Sequence, residues 1–560
     1  MNIKGSISVK KINGKSYYIH QYRDGDKVKN HSLSEEEAYS LGFILNYSKA
    51  FDYDELINHQ FCCEVQFSSV LYSLIQSYSS FNKRYLFNDM QNFLFGNGNV
   101  GKVLALYGLR RTGKTTLIFQ SILSMNISDF SKCAYIKISN KNSFSELIDD
   151  LKYLTTHGFK YIFIDEVTIL SDFQSLASTL SDIYGLRSKI ILSGTDSLGF
   201  MISKYYELFD RVILLHTTYI SFKEFSEVLG IDSIDTYIEY GGLMSVENNI
   251  YNEEKIFGGE SVNEYVDSAI AHNIEHSLKY YKDGDHFSSL YPLYEKGELT
   301  NVINRLVEDT NHRFAVSVIE DAFKSHDYGS LKNLIKKNRE ESISTSLDNI
   351  NEDEIINLLM DELNIINKNK QSIKIDDSVI KEIDSYLDLL DLCKSVDVVN
   401  ASSFKVEKRK VFIQPGLRFS QAKVLLRILM NQDKVRRLPQ SIKKIIEEKL
   451  ISDIKGRLLE EIVLYQTSLY NKDTFKMLFS IGEIDMITFS NQEESSSVYE
   501  IKYSKEINET QYRFLKKEDY IDLINRAYYP VKDKFVIYRG EDKTIDGIKY
   551  INVEKYLKSL

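Results

Sequence analysis

The chain has 560 residues, a formal net charge of −10, and 43% hydrophobic against 27% charged residues. That length allows several domains with sizeable cores, and the acidic balance excludes a surface that coats nucleic acid generally, leaving only local basic patches for such contact. No apolar run reaches the ~18 residues of a membrane helix, and the N-terminus lacks the apolar stretch of a signal peptide. Cys62, Cys63, Cys133 and Cys393 show neither metal-ligand nor disulfide spacing, which predicts a reducing, cytoplasmic setting.

Residues 1–45 predict a small antiparallel meander with a helix after it. Runs at Ile7-Ser-Val, Tyr17-Tyr-Ile-His-Gln-Tyr and near Val28 are separated by Asn13-Gly14 and Asp24-Gly25, both strong hairpin-turn signals. Ser34-Glu-Glu-Glu37 is a capping box that opens the helix. Lys10, Lys11, Lys15, Arg23, Lys27 and Lys29, with Tyr17, Tyr18 and Tyr22, suit contact with nucleic acid; the plainer alternative is a hairpin used for packing.

Residues 46–250 predict a P-loop ATPase domain. Its first part, to about residue 100, reads as mixed helix closed by the turn Asn97-Gly98-Asn99. Strands then alternate with helices, the pattern of a parallel α/β sheet. Gly108-Leu109-Arg110-Arg111-Thr112-Gly113-Lys114-Thr115, followed by Thr116, fits the phosphate-loop pattern. The two glycines let the backbone curl so that N–H groups point at a phosphate. Lys114 supplies a point charge to the β- and γ-phosphates, and the Thr115 hydroxyl suits Mg²⁺. The apolar strand Val103–Tyr107 stands before the loop, and a helix opening at its end would face the phosphates.

Two further strands carry candidate chemistry. Tyr161-Ile-Phe-Ile-Asp165-Glu166 ends in adjacent carboxylates, Asp165 suited to holding Mg²⁺ through water and Glu166 to polarising the water that attacks the γ-phosphate. Lys189-Ile-Ile-Leu-Ser193-Gly194-Thr195 ends in hydroxyls, where AAA-type ATPases place a polar residue that senses the γ-phosphate; Ser193 and Thr195 are the candidates.

Residues 251–400 read as a helical, locally acidic linker region, with a candidate linker near Lys336–Ser346, and residues 401–560 as strands mixed with helices. In the last part Glu460 sits on a helix, Asp485 on a strand, and Glu500 and Lys502 on one face of the next strand. An acid beside Glu-x-Lys can converge at one end of a hairpin, where Asp485 and Glu500 would bind Mg²⁺, Lys502 would steady a developing charge and Glu460 would complete the shell. Acids and lysines also alternate on many exposed strands, so a plain solvated hairpin is the other reading.

With these pieces placed, the chain resembles a prokaryotic family of AAA-like ATPases that join a P-loop domain to a C-terminal domain of restriction-endonuclease-like, PD-(D/E)xK fold. The resemblance is carried by GLRRTGKTTL at 108–117, YIFIDEV at 161–167, ILSGTDS at 191–197, YISFKEF at 219–225, YGGLMSV at 240–246, KVFIQPGLR at 410–418, and GRLLEE, GEIDMI and YEIKYS further on. It implies a parallel P-loop sheet, a helical middle region and a C-terminal α/β nuclease-like domain, with ATP and Mg²⁺ as cofactors. The chain departs from the family at Ile220, where members carry Pro, and at Asp210-Arg211, where they have Gly-Arg. Arg211 is the candidate for acting on the γ-phosphate of a neighbouring subunit, a homo-oligomer or partner protein being the setting this would need, against the plainer role of a salt-bridged surface arginine.

The sequence therefore predicts an ATP-binding and ATP-hydrolysing protein whose C-terminal domain binds nucleic acid and carries the residues to cut it with Mg²⁺. The alternative is an ATP-dependent switch whose inactive nuclease-like fold is a protein-interaction platform. A translocating motor finds no support, since the chain has no helicase motif set and no net basic track.

Overall fold

The computed structural model describes residues 6–12, 15–24, 27–34, 59–96, 98–170, 179–195, 211–244, single positions between 266 and 278, 288–324, 333–336, 352–370, 376–390 and 392–560. The helix expected after Ser34, the turn residue Asn97 and most of the Lys336–Ser346 stretch lie outside them. Packing divides the chain into two compact units, Met1–Thr218 with Asn273–His286 and Tyr219–His272 with Phe287–Leu560.

The first unit opens with the meander β1 (Ser6–Ile12), β2 (Lys15–Asp24) and β3 (Lys27–Leu33), antiparallel neighbours in sequence order. Tyr18 and Leu33, paired across β2 and β3, are its buried side chains among those described.

A six-stranded sheet takes β4 (Glu64–Phe67), β5 (Val103–Tyr107), β6 (Cys133–Lys137), β7 (Tyr161–Asp165), β8 (Lys189–Gly194) and β9 (Val212–His216) in the order β4-β6-β7-β8-β5-β9. All its pairings are parallel except β4 with β6. Parallel strands are covered on both faces, so continuous apolar runs form them. Alternation along β5 sends Val103, Ala105 and Tyr107 into one core and Leu104 and Leu106 into another. Helices α1 (Leu86–Phe95) and α2 (Lys114–Leu123) pack in the second of these, α3 (Phe144–Thr156) in the first. β4 lies in the stretch expected to be helical. It has four residues, too few for a two-residue period to register, and tertiary anchoring precedes it: the amides of Cys62 and Cys63 donate to the buried Asp150 carboxylate at 3.0 and 2.7 Å.

The second unit contains α4 (Phe222–Leu229), α5 (Ile234–Tyr240), α6 (Leu299–Lys324), α7 (Glu352–Lys370), α8 (Asp377–Leu389), α9 (Pro415–Met430), α10 (Gln440–Tyr470), α11 (Glu518–Ala527) and α12 (Val553–Ser559). Its strands are β10 (Cys393–Asn400), β11 (Val406–Phe412), β12 (Thr474–Leu478), β13 (Glu483–Ser490), β14 (Ser495–Ile501), β15 (Val531–Tyr538), β16 (Lys543–Ile545) and β17 (Ile548–Asn552). They form one mixed sheet in the order β11-β10-β12-β13-β14-β15-β17-β16. β10 begins inside the stretch read as helical. Phe314, Val318 and Ile319 of α6 and Leu359 and Leu363 of α7 share a core with α9 and α10, so these helices are built into the unit.

The SFKEF and YGG segments also pack in this unit, and their work is structural. The Ser221 hydroxyl caps α4 by accepting from Glu224 N at 3.1 Å. Phe222 N donates to Gln466 Oε1 at 3.2 Å, and the Tyr237 hydroxyl donates to Ile220 O at 2.6 Å. Gly242 has φ +99°, and a Cβ there would lie 2.5 Å from Gln414 Cγ. Only a residue without one lets the loop close on Gln414, whose side-chain amide donates to Gly242 O at 3.1 Å.

Candidate nucleotide site and carboxylate–lysine cluster

The phosphate loop joins β5 to α2. Gly108 (φ +143°) approaches the end of β9 so closely that a Cβ would lie 2.5 Å from Thr217 Oγ1 and 2.8 Å from Thr218 Oγ1. Arg111 and Gly113 also take positive φ, 64° and 86°. Residues of this kind turn successive N–H groups to one side, the concavity that binds a phosphate, and the start of α2 adds the positive end of a helix dipole. The frame around it is rigid. Leu109 N donates to Thr218 Oγ1 at 3.1 Å, Thr112 Oγ1 donates to Leu109 O at 2.8 Å, and buried Arg84 donates from Nη1 to Thr112 O at 2.7 Å and Thr217 O at 2.8 Å. Lys114 Nζ donates to Gly108 O and Leu109 O, both at 2.9 Å. Burial lowers the Lys114 pKa to about 8 against the raising influence of Glu166 and Asp165.

Asp165 ends β7, and β8 lies between β7 and the loop strand β5 rather than the two being neighbours. That spacing puts Ser193, on β8, at the centre. Asp165 is buried and accepts four hydrogen bonds: Thr115 Oγ1 (2.8 Å) and Tyr135 OH (2.9 Å) at Oδ2, Ser193 Oγ (2.6 Å) and Glu166 N (3.1 Å) at Oδ1. Such a carboxylate is fixed in position. Glu166 follows in a left-handed conformation, φ 58°. Burial raises its pKa, Asp165 adds to the rise, and Lys114 opposes it. Burial also raises the Tyr135 pKa, with Asp165 reinforcing it, so the phenol stays a donor.

Among the predicted residues, Gly108 to Thr116, Asp165, Glu166 and Ser193 are thus brought together around one loop. Thr195 N donates to Thr168 Oγ1 at 3.3 Å. Arg211 pairs with Asp182 at 3.1 Å, both side chains about half exposed, a contact of little energetic weight. Arg84, Tyr135, Thr217 and Thr218 were not legible as site residues. Arg84 and Tyr135 adjoin no motif, Thr217 and Thr218 stand just before the YISFKEF segment without being part of it, and contacts remote in sequence bring the four in.

The second unit holds a cluster of charges at one end of its sheet. β13 presents Glu483 and Asp485 on one face. The register Met486↔Tyr499 brings Asp485 beside Glu500 on β14. Lys502 Nζ bridges Asp485 Oδ2 (2.9 Å) and Glu500 Oε2 (2.6 Å), and Ile501 N donates to Asp485 Oδ2 at 2.8 Å. Both acids are buried. Lys502, Lys476 and the Ile501 amide hold the Asp485 carboxyl well below the usual range despite burial, whereas burial drives Glu500 well above it. Glu500 Oε1 has no hydrogen-bond partner among the described residues.

On the far side of Asp485 stand groups that sequence reasoning did not single out. Lys476 on β12 lies 3.1 Å from Glu460 Oε2, 2.6 Å from Glu483 Oε1 and 3.6 Å from Asp485 Oδ1. Arg457 Nη1 lies 3.0 Å from Glu460 and 3.5 Å from Glu483. Glu460 is therefore engaged by Lys476 and Arg457, and among the described residues Glu460, Glu483 and Asp485 form a group of three carboxylates whose ligand oxygens lie within 4.8 Å of one another.

Residues 100–226 match a family model described as an AAA domain. A comparison with curated proteins found no match. Among solved structures the chain is similar to the Walker-type ATPase PABY2304 of Pyrococcus abyssi, at 14% identity over 61% of this chain and 95% of that one, with a TM-score of 0.26. It is similar also to the ORC1 protein of Aeropyrum pernix in complex with DNA, at 11% over 64% and 97% with a TM-score of 0.24, and to the Hsp104–ADP complex of S. cerevisiae, at 12% over 66% and 51% with a TM-score of 0.21. No helix among the described residues is long and apolar enough to cross a membrane. Residues 100–226, which span the phosphate loop and the Asp165–Glu166 strand, are thus similar to an AAA domain, and the chain is an ATP hydrolase.

Proposed function

We propose that ATP hydrolysis at the phosphate loop serves a second unit that binds nucleic acid and acts on its phosphodiesters, in the manner of a restriction-endonuclease-like domain. Lys114 and the loop amides hold the β- and γ-phosphates, and Glu166 takes the proton of the water that attacks the γ-phosphorus while ADP departs. Thr115 Oγ1 and Asp165 Oδ2, 2.8 Å apart, are hard oxygen donors that fit Mg²⁺, which when bound neutralises charge on the phosphates. Ser193 and Tyr135 keep Asp165 aimed at that position.

The observation that carries the phosphodiester reading is Lys502 held between Asp485 and Glu500 at 2.9 and 2.6 Å. Two buried acids and a lysine at one sheet end suit a metal-assisted attack on a phosphodiester, with Lys502 stabilising charge on the phosphate. Incubation of the purified chain with plasmid DNA or RNA, ATP, and Mg²⁺ or Mn²⁺ tests it. Cleavage by the wild type, lost in Asp485→Ala, is expected; no cleavage of either substrate under any of these conditions contradicts it. A second reading, the ATP-dependent switch with a non-cutting platform, is favoured by one observation: Lys476 and Arg457 already neutralise Glu460 and Glu483.

A further inference from the structure

The geometry points to Lys476 as a built-in counter-cation: we propose that its ammonium occupies the place a divalent ion would take among Glu460, Glu483 and Asp485, so that the site loads metal only when the lysine leaves.

Three distances define the arrangement. The ammonium has three N–H donors, and the three carboxylates that surround it lie at 3.1, 2.6 and 3.6 Å. The oxygens of those same carboxylates fall within 4.8 Å of one another, the spacing of a potential ligand set. A Mg²⁺ ion needs oxygens at ~2.0–2.1 Å and a Ca²⁺ ion at ~2.3–2.6 Å, so neither fits while a cation stands at the centre of the set. Repulsion between like charges in a buried site adds to the exclusion.

The lysine is held there by the sheet. β12 pairs with β13 through Phe475↔Ile487 and then Met477↔Ile484, a register shift in which the single residue Lys476 stands opposite the pair Asp485 and Met486. Bulges of this kind re-aim a side chain. Lys476 is 3% exposed, so its ammonium stands away from solvent among the carboxylates. Arg457 Nη1 donates to the same Glu460 Oε2 and Glu483 Oε1 that Lys476 contacts, and Asp485 Oδ2 is taken by Lys502 and Ile501 N.

This deepens the phosphodiester reading and rests on it only in naming cleavage as what the lysine slows without abolishing, so that the wild type still cuts. The test uses the full chain and Mn²⁺ as the probe, followed by calorimetric titration and by thermal unfolding with and without EDTA. Lys476→Gln removes the charge and keeps a donor, and Lys476→Met, which keeps the apolar stem, is the second variant if the first does not fold. Each is compared with wild type, with the exposed-turn control Glu493→Gln, and with the same variant carrying Asp485→Asn, so that binding at the phosphate loop cancels. Loss of the lysine should tighten Mn²⁺ binding by about tenfold or more, make unfolding temperature dependent on Mn²⁺, and lose both effects with Asp485→Asn. Equal Mn²⁺ affinity in wild type and the lysine variants, or no Asp485-dependent binding in any of them, overturns the proposal. Cleavage is scored separately: a variant that gains Mn²⁺ and cuts nothing leaves the role of Lys476 standing and removes the phosphodiester reading.

Discussion

Lys114 is buried beside Asp165, Glu166, Arg110 and Arg84, and its pKa falls to about 8 because desolvation outweighs the two acids. Phosphate binds the charged form. As pH rises through that value the free protein loses the Lys114 proton, so ATP affinity should fall from about pH 7 to about pH 9.5. Calorimetric titration measures it, and Lys114→Ala should bind about 100-fold or more weakly, with a flat profile. An affinity in the wild type that does not change over this range contradicts the assignment. This part of the site was legible because Gly108, Gly113, Lys114 and Thr115 owe their roles to local sequence. Lys476 was not, since nothing near it in sequence announces that a register shift between β12 and β13 will set it against Asp485.

The elements around Gly242 show what the YGG segment is for. Its positive φ and the Gln414 side chain against it leave no space for a Cβ, and Gly416 N donates to Gly241 O at 3.2 Å. Gly242→Ala should therefore destabilise the second unit by about 1–3 kcal/mol, seen as a lower midpoint in thermal or denaturant unfolding. An unchanged midpoint would show that the loop relaxes without cost. The same element reading explains where sequence patterns stop informing. The apolar strands β5, β7 and β8 announce themselves through composition, as does the meander through Asn13-Gly14 and Asp24-Gly25. The four-residue edge strand β4 and the strand β10, which directly follows a helix, are fixed by partners remote in sequence, Tyr135 against Gln66 and Phe475 against Asp397.

At the scale of the whole molecule the chain passes from one compact unit to the other after Thr218. The Asp165–Glu166 pair, at the end of β7, lies in the first, and the Asp485–Glu500–Lys502 cluster, on and just after the consecutive strands β13 and β14, lies in the second. Order within the six-stranded sheet was not legible from motifs, which give strand identity without strand neighbours; hence the insertion of β8 between β5 and β7, and with it the central place of Ser193, came only from the fold. The account rests most directly on Glu166 as the base beside a fixed Asp165. Steady-state ATP hydrolysis, measured together with ATP binding in wild type and Glu166→Gln, tests this. The account predicts that the variant binds ATP with wild-type affinity and turns it over about 10²–10⁴-fold more slowly; hydrolysis at the wild-type rate, or loss of ATP binding, would contradict it.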